Sequence, residues 1–137
     1  MEWKLEVIPV PVTDVDRAKR FYTEDVGFAC DADERLGDAY RMVQLTPPGS
    51  GCSIVIGDGM TEMNPGTLDG LQLCVGDIEA ARAELVSRGV EVSPVQHYDT
   101  DTGELLDGPA EEWNRFVFFT DPDGNKWVVQ ESPRITG

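Results

Sequence analysis

Two stretches of the chain read almost as copies of one another, and a duplicated unit leaves few folds open. Val12-Thr13-Asp14-Val15-Asp16-Arg17-Ala18 sets beside Val75-Gly76-Asp77-Ile78-Glu79-Ala80-Ala81. Each begins at the end of a strand, passes through a residue able to cap a helix, and enters a helical turn. Thr13, Asp14 or Asp77 side-chain oxygens can accept the first orphan N–H groups of such a helix. Each helix then meets a glycine: Phe28 follows Gly27 as Val90 follows Gly89. The repeat predicts two β-α-β-β-β modules of about sixty residues each. The first covers roughly residues 1–57 and the second roughly 68–132, in one α+β domain spanning 1–137. Residues 58–67 between them, with two glycines and a proline, form a linker.

Periodicity fills in the elements. Residues 4–12 alternate as a strand, with Pro9 and Pro11 removing ladder donors and so marking a free or irregular edge. Val15, Ala18, Phe21 and Tyr22 fall at helical spacing. A short strand near Phe28–Cys30, an acidic turn, a strand at 40–45, a Pro-Gly turn and a strand at 52–57 complete the first module. In the second, a strand at 71–75 precedes a helix from Ile78 to Arg88 and a strand at 89–92. The stretch from His97 to Asn114 is the longest irregular one, and long loops in compact domains are usually functional or mobile. Phe116–Thr120 and Trp127–Gln130 read as a hairpin across Asp121-Pro122-Asp123-Gly124-Asn125, whose residues supply turn chemistry.

Charge and cysteine usage narrow the function classes. With 26 acidic and 11 basic residues the net charge is −15, a field that repels phosphate backbones and argues against nucleic acid. The acids are spread along the chain, which suits solubility, and the same field favours a cationic ligand. No apolar run approaches the roughly 20 residues of a membrane span, and no signal-peptide core is read. Cys30, Cys52 and Cys74 are odd in number and lack C-x-x-C spacing. A reducing cytoplasm is the expected location, with neither disulfide framework nor zinc knuckle.

Val12-Thr13-Asp14 before a Phe21-Tyr22 helix, Gly27-Phe28 after it, the second helix opening at Val75-Gly76-Asp77, and Asp121–Asn125 before a last strand together resemble one superfamily. The likeness is to the vicinal oxygen chelate proteins: glyoxalases, extradiol dioxygenases, fosfomycin-resistance enzymes and bleomycin-resistance binding proteins. The resemblance spans nearly the whole chain and implies two half-barrels, a curved mixed sheet around a cavity, and commonly a homodimer. It also implies metal ligands on four strands. Those positions fall at Val7, at or beside Gly70, at Val55 and at Val128, four residues after Gly124. None offers a lone pair to a divalent ion. Only a shifted register brings Glu6 or Gln130 into play, so the expectation is no metal and no cofactor. Glyoxalase-type isomerisation and extradiol cleavage, which need that ion, are then disfavoured.

By strand parity Leu5, Val7, Pro9, Ser53, Val55, Gly70, Gln72, Cys74, Lys126, Val128 and Gln130 share the cavity face, an apolar wall with a few amides. Val7, Val55, Gln72, Trp113, Val128 and Gln130 are the candidate ligand-binding residues. Gln72 and Gln130 either orient a ligand or pair with each other. Trp113 either covers an aromatic ligand or packs its loop, while Trp3 and Trp127 suit a core or an interface. His97, the only histidine, is the candidate general base, with a solvated loop residue as the plainer reading. Cys74 reads as a buried, inert thiol. Arg41 and Arg115 clamp a carboxylate or pair within the chain. Besides a partner-binding module with no ligand, two functions remain: a metal-free protein that binds a small molecule, or a lyase, isomerase or cyclase of the same fold. The latter would use His97 or a relocated metal.

Overall fold

The computed structural model describes residues 1–38 and 40–136. It divides into two compact units: Met1–Leu68 together with the turn Asp121–Asn125, and Asp69–Thr120 together with the chain from Lys126 onward. Each is built on one mixed sheet.

In the first unit, β1 (Val7–Pro9), β2 (Ala29–Leu36), β3 (Tyr40–Thr46) and β4 (Ser53–Gly57) lie in the order β1-β4-β3-β2. β1 runs parallel to β4 and the other pairs are antiparallel. One face carries Val43, Leu45, Ile54 and Ile56, all buried. Helix α1 (Val15–Arg20) contributes Ala18 to the same core. Asp14 caps α1 by accepting from Arg17 N–H at 3.1 Å. A π-helical turn, Phe21–Asp25, continues it, with Val26 N–H reaching back to the Phe21 carbonyl. Tyr22 in that turn is fully buried, and its hydroxyl donates to Asp121 Oδ2 at 2.7 Å. A buried hydroxyl needs such a partner. The Asp121–Asn125 turn is therefore a polar core element of this unit. Asn125, without exposure, donates to Asp121 Oδ2 and to the Pro11 carbonyl, and accepts from Leu68 N–H.

The second unit has β5 (Asp69–Val75), α2 (Ile78–Ser87), β6 (Gln96–Tyr98), β7 (Leu105–Asp107), β8 (Phe116–Thr120) and β9 (Lys126–Glu131), with strands ordered β5-β9-β8-β6-β7. β5 is parallel to β9. Asp77 caps α2 through Ala80 N–H at 3.1 Å. Ile78 and Leu85 of α2 are buried, as are Val117, Phe119, Trp127 and Val129 of the sheet. Phe119 and Trp127, directly paired across the ladder, stack with ring centroids 5.9 Å apart.

Several boundaries differ from the sequence reading. The first strand is confined to Val7–Pro9, leaving Trp3 and Leu5 exposed. The expected acidic turn after Cys30 is instead most of β2. Its charges are tolerated because they are paired: Arg41 donates to Asp33 from Nε at 3.0 Å and from a terminal nitrogen at 2.8 Å, and Lys19 adds a third bond. The strand at 89–92 shrinks to one bridge, Val92 to Phe119. The irregular stretch 97–114 contains most of a hairpin, β6 and β7, so the second sheet gains a fifth strand. Trp127 is core, whereas Trp3 is not, at 88% exposure.

Candidate functional site

Register places the side chains of the second sheet. Phe116 pairs with both Gln130 and Gln96, Phe118 with Val128, and Val128 with Gln72. Directly paired residues share a face. Gln72, Cys74, Gln96, Tyr98, Phe116, Phe118, Val128 and Gln130 thus lie on one side, and Phe119, Trp127 and Val129 pack on the other. Tyr98 meets Phe116 edge-on at 5.3 Å, and Phe116 stacks on Phe118 at 6.3 Å. This aromatic row is half-buried to exposed, so its ring surfaces face outward from the core of the unit.

Beside the row is an open depression of about 470 Å³, within the size range of small-ligand sites. Tyr98, Phe118 and Val128 supply apolar wall, with Ser93, Thr120 and three charged residues, Asp69, Glu91 and Lys126, around them. Ser93 shapes that wall. Its N–H donates to the Phe118 carbonyl and its hydroxyl accepts from Phe118 N–H, so one serine stands in for a neighbouring strand.

The amides are paired. Gln72 Nε2 donates to Gln130 Oε1 at 2.5 Å, and Gln130 Nε2 donates onward to the Trp113 carbonyl at 2.6 Å. Trp113 is 41% exposed and has φ of 70°, a conformation bulky residues seldom adopt. The surrounding loop is held at several points. Arg115 donates to the Ala110 carbonyl and to Glu131 Oε1, and Asn114 donates to Glu111. The Asn114 amide hydrogen bond holds the Glu111 carboxyl below its ordinary value. Backbone N–H groups of Thr102 and Asp101 do the same for Asp99.

His97 lies on the face opposite Tyr98, since successive strand residues alternate. Its Nδ1 is 2.7 Å from the Gly108 carbonyl, which makes Nδ1 the protonated nitrogen and leaves Nε2 with the lone pair. Gln72, Val128, Gln130 and Trp113 are therefore brought together, and His97 is not among them. Val7 and Val55 belong to the first unit, on the face away from α1 with Ser53, Gln44 and Thr46. There Gln44 donates to Ser53 Oγ, and Thr46 shares hydrogen bonds with Ser53 and Asp31.

Cys74 is exposed, contrary to the buried thiol expected. Arg41 and Arg115 both pair with carboxylates of their own unit. Sequence reasoning missed Tyr98 and the two phenylalanines. The alternation Phe116-x-Phe118 was the available signal, whereas Tyr98 lay in a strand that had not been read.

The positions at which the resemblance puts metal ligands are Val7, Val55, Val128 and one at or beside Gly70, so three of them carry hydrocarbon side chains. Residues of that kind do not fit a divalent ion. Among the described residues no three His, Cys, Asp or Glu side chains gather where an ion could be shared. No helix among them is long and apolar enough to cross a membrane.

The sequence model of the Glyoxalase/Bleomycin resistance protein/Dioxygenase superfamily matches residues 4–129. Among solved structures, the chain is similar to TnmS3, an antibiotic binding protein from Streptomyces sp. CB03234. They are 36% identical, with 96% of this chain and 97% of that one covered and a TM-score of 0.75. A glyoxalase/bleomycin resistance protein from the same organism is 38% identical over 93% of this chain and 99% of its own, with a TM-score of 0.71. Protein YetH of Bacillus subtilis (strain 168) is 28% identical over 130 residues, covering 93% of this chain and 98% of its own.

Proposed function

Because the chain belongs to the glyoxalase/bleomycin resistance protein/dioxygenase superfamily, we propose that it is a metal-free member that binds and sequesters a small molecule. The observation that carries this reading is the aromatic row Tyr98–Phe116–Phe118 beside an apolar depression with Val128 and the paired Gln72 and Gln130. Ring surfaces turned away from a core are costly to leave wet and are used by planar ligands, which gain stacking as well as area burial. The paired amides supply orientation: a ligand carbonyl or hydroxyl competes for the same donors. Likeness to an antibiotic-binding protein over nearly all of both chains supports the same class of ligand. The charge of −15 favours one that is cationic.

Trp113 enters this reading as an aromatic ligand contact of the second unit, and Val7 and Val55 as apolar ligand contacts of the first. The chain works as a homodimer in the cytoplasm. Exposed Trp3, Leu5 and Val7 beside the edge strand β1 support the first assignment, and three free cysteines support the second.

One observation favours a second reading, that of a lyase or isomerase. The Gly108 carbonyl fixes the His97 tautomer so that Nε2 is free to take a proton. That chemistry would take place on the sheet face opposite the aromatic row.

Thermal melts and calorimetry of the purified chain test the primary reading. An aromatic antibiotic should raise the melting temperature by linkage, and Mn²⁺, Ni²⁺, Zn²⁺ and Fe²⁺ should leave it unchanged. A stoichiometric ion with a large upward shift would overturn it.

A further inference from the structure

We propose that Arg134 of the C-terminal tail occupies the ring face of Trp113, its platform, in the ligand-free chain and so competes with a planar cationic group for the contact assigned to Trp113 above. This rests on the small-molecule-binding reading above. It adds a competitor carried by the protein itself.

The platform is set by backbone geometry. Among the described residues Trp113 alone, apart from glycines, has positive φ. Side chains as bulky as indole avoid that region unless neighbours impose it, and here the neighbours are identifiable. Gln130 Nε2 holds the Trp113 carbonyl at 2.6 Å, and Gln72 fixes Gln130 in turn. The next residue, Asn114, is bound at both ends to the Tyr98 backbone. The sheet face carrying the aromatic row therefore also aims the Trp113 ring.

The Arg134 guanidinium carbon stands 5.5 Å from the Trp113 ring centroid, inside the distance at which a ring face attracts a cation. Acids outnumber bases 26 to 11 in this chain, yet among the described residues the Arg134 guanidinium has no carboxylate partner. It rests on an indole. The ring thus already holds a flat cation, which is the chemistry a ligand would present to it. The tail bearing Arg134 is tied by Ser132, whose hydroxyl accepts from Arg134 N–H at 3.2 Å. That leaves the side chain free to leave when a stronger planar cation arrives.

The test uses the full chain labelled with 5-fluorotryptophan, its Trp113 resonance assigned by loss in Trp113→Phe, and proflavine as a planar aromatic cation. Arg134→Ala should move the Trp113 resonance and leave that of Trp127 in place. It should also tighten proflavine binding about two- to fivefold, the range expected for an exposed cation–π contact, with Arg134→Lys between. Proflavine should shift the Trp113 signal in the parent chain. If Arg134→Ala leaves the Trp113 resonance unmoved, or weakens proflavine binding, the self-occupied platform is wrong. If proflavine binds, and binds more weakly to Phe118→Ala, but leaves the Trp113 resonance unmoved, the platform falls and the small-molecule reading stands. Absence of proflavine binding to either protein overturns the planar-cation assignment, while the antibiotic panel still decides the broader reading.

Discussion

Asn114 grips Tyr98 by both of its backbone groups: Tyr98 N–H donates to Asn114 Oδ1 at 2.9 Å, and Asn114 Nδ2 donates to the Tyr98 carbonyl at 2.8 Å. A paired strand residue exchanges the same two bonds with its partner. β6 meets β8 only at Gln96 and Phe116, so this one side chain extends the pairing to Tyr98 and fixes one end of the aromatic row. Asn114→Ala should cost about 1–3 kcal/mol and speed amide exchange at Tyr98. Asn114→Asp keeps the acceptor, loses the donor and should recover only part. Unchanged exchange at Tyr98 in both variants would mean that the hairpin holds itself.

The buried polar cluster of the first unit gives a graded pair of variants. Asn125 serves Asp121, Pro11 and Leu68 at once, so Asn125→Ala strands several buried groups. A loss of about 2–4 kcal/mol is expected in urea unfolding. Tyr22→Phe removes one donor, and Asp121 Oδ2 still accepts from Asn125, so about 1–2 kcal/mol is expected. The reverse order of cost would place the anchor of the turn at Tyr22.

Acid stability should depend on Asp33. The Arg41 hydrogen bonds, and after them that of Lys19, hold its carboxyl well below the usual carboxylate range. The folded-state value lies below the unfolded one of about 3.9. The stability it contributes is therefore complete above that pH and is lost as pH falls toward the folded value. Asp33→Asn should melt lower than the parent at neutral pH, and the gap should narrow steadily on acidification below about pH 4. A gap constant from neutral to strongly acid pH would mean that the variant removes packing rather than a titrating charge.

How much of this was legible in the sequence depended on where backbone partners came from. The Asp14 and Asp77 helix starts, the buried strand alternation of Val43–Leu45 and Ile54–Ile56, and the final hairpin were readable because local pattern and fold agree there. β2 was not readable, because Asp31-Ala32-Asp33-Glu34 has turn-like composition and becomes a strand only through Arg41, Lys19 and Thr46 from elsewhere. β6 escaped for the same reason, since its partners come from elsewhere: β7 pairs with it along its length and the Asn114 side chain bonds the Tyr98 backbone. Of the candidate site, the shared face of Gln72 and Gln130 followed from parity, which left open whether they meet each other or a ligand, and the placement of His97 on the other face required the register of β6.

Two glycines with similar backbones should respond differently to alanine. Gly66 has φ of 79° and a Cβ there would stand 2.2 Å from the Asp123 carbonyl oxygen; Gly70 has φ of 91° and nothing within 4 Å. Gly70→Ala carries only the left-handed penalty, about 1–2 kcal/mol. Gly66→Ala adds a backbone collision that must push the Asp121–Asn125 turn away, with a total of roughly 3–5 kcal/mol. Thermal melts compare the two, and equal losses would show that the turn yields freely.

Phe118 and His97 separate the two functional readings, because they stand on opposite faces of one sheet. Phe118→Ala removes a ring that stacks on Phe116 and lines the depression, and its half-buried side chain leaves the Val117–Phe119–Trp127 core intact. A sequestering protein should then bind its aromatic ligand about tenfold or more weakly, corresponding to about 1.4 kcal/mol or more, at a nearly unchanged melting temperature. His97→Ala should leave that affinity within about twofold, since the imidazole only holds the Gly108 carbonyl. An acid–base enzyme predicts the converse for turnover: loss of rate in His97→Ala on the order of a hundredfold or more. Titration calorimetry on both variants, with product analysis by mass spectrometry, distinguishes these outcomes. A His97→Ala protein that binds normally but no longer converts its ligand would move the chain from binder to enzyme.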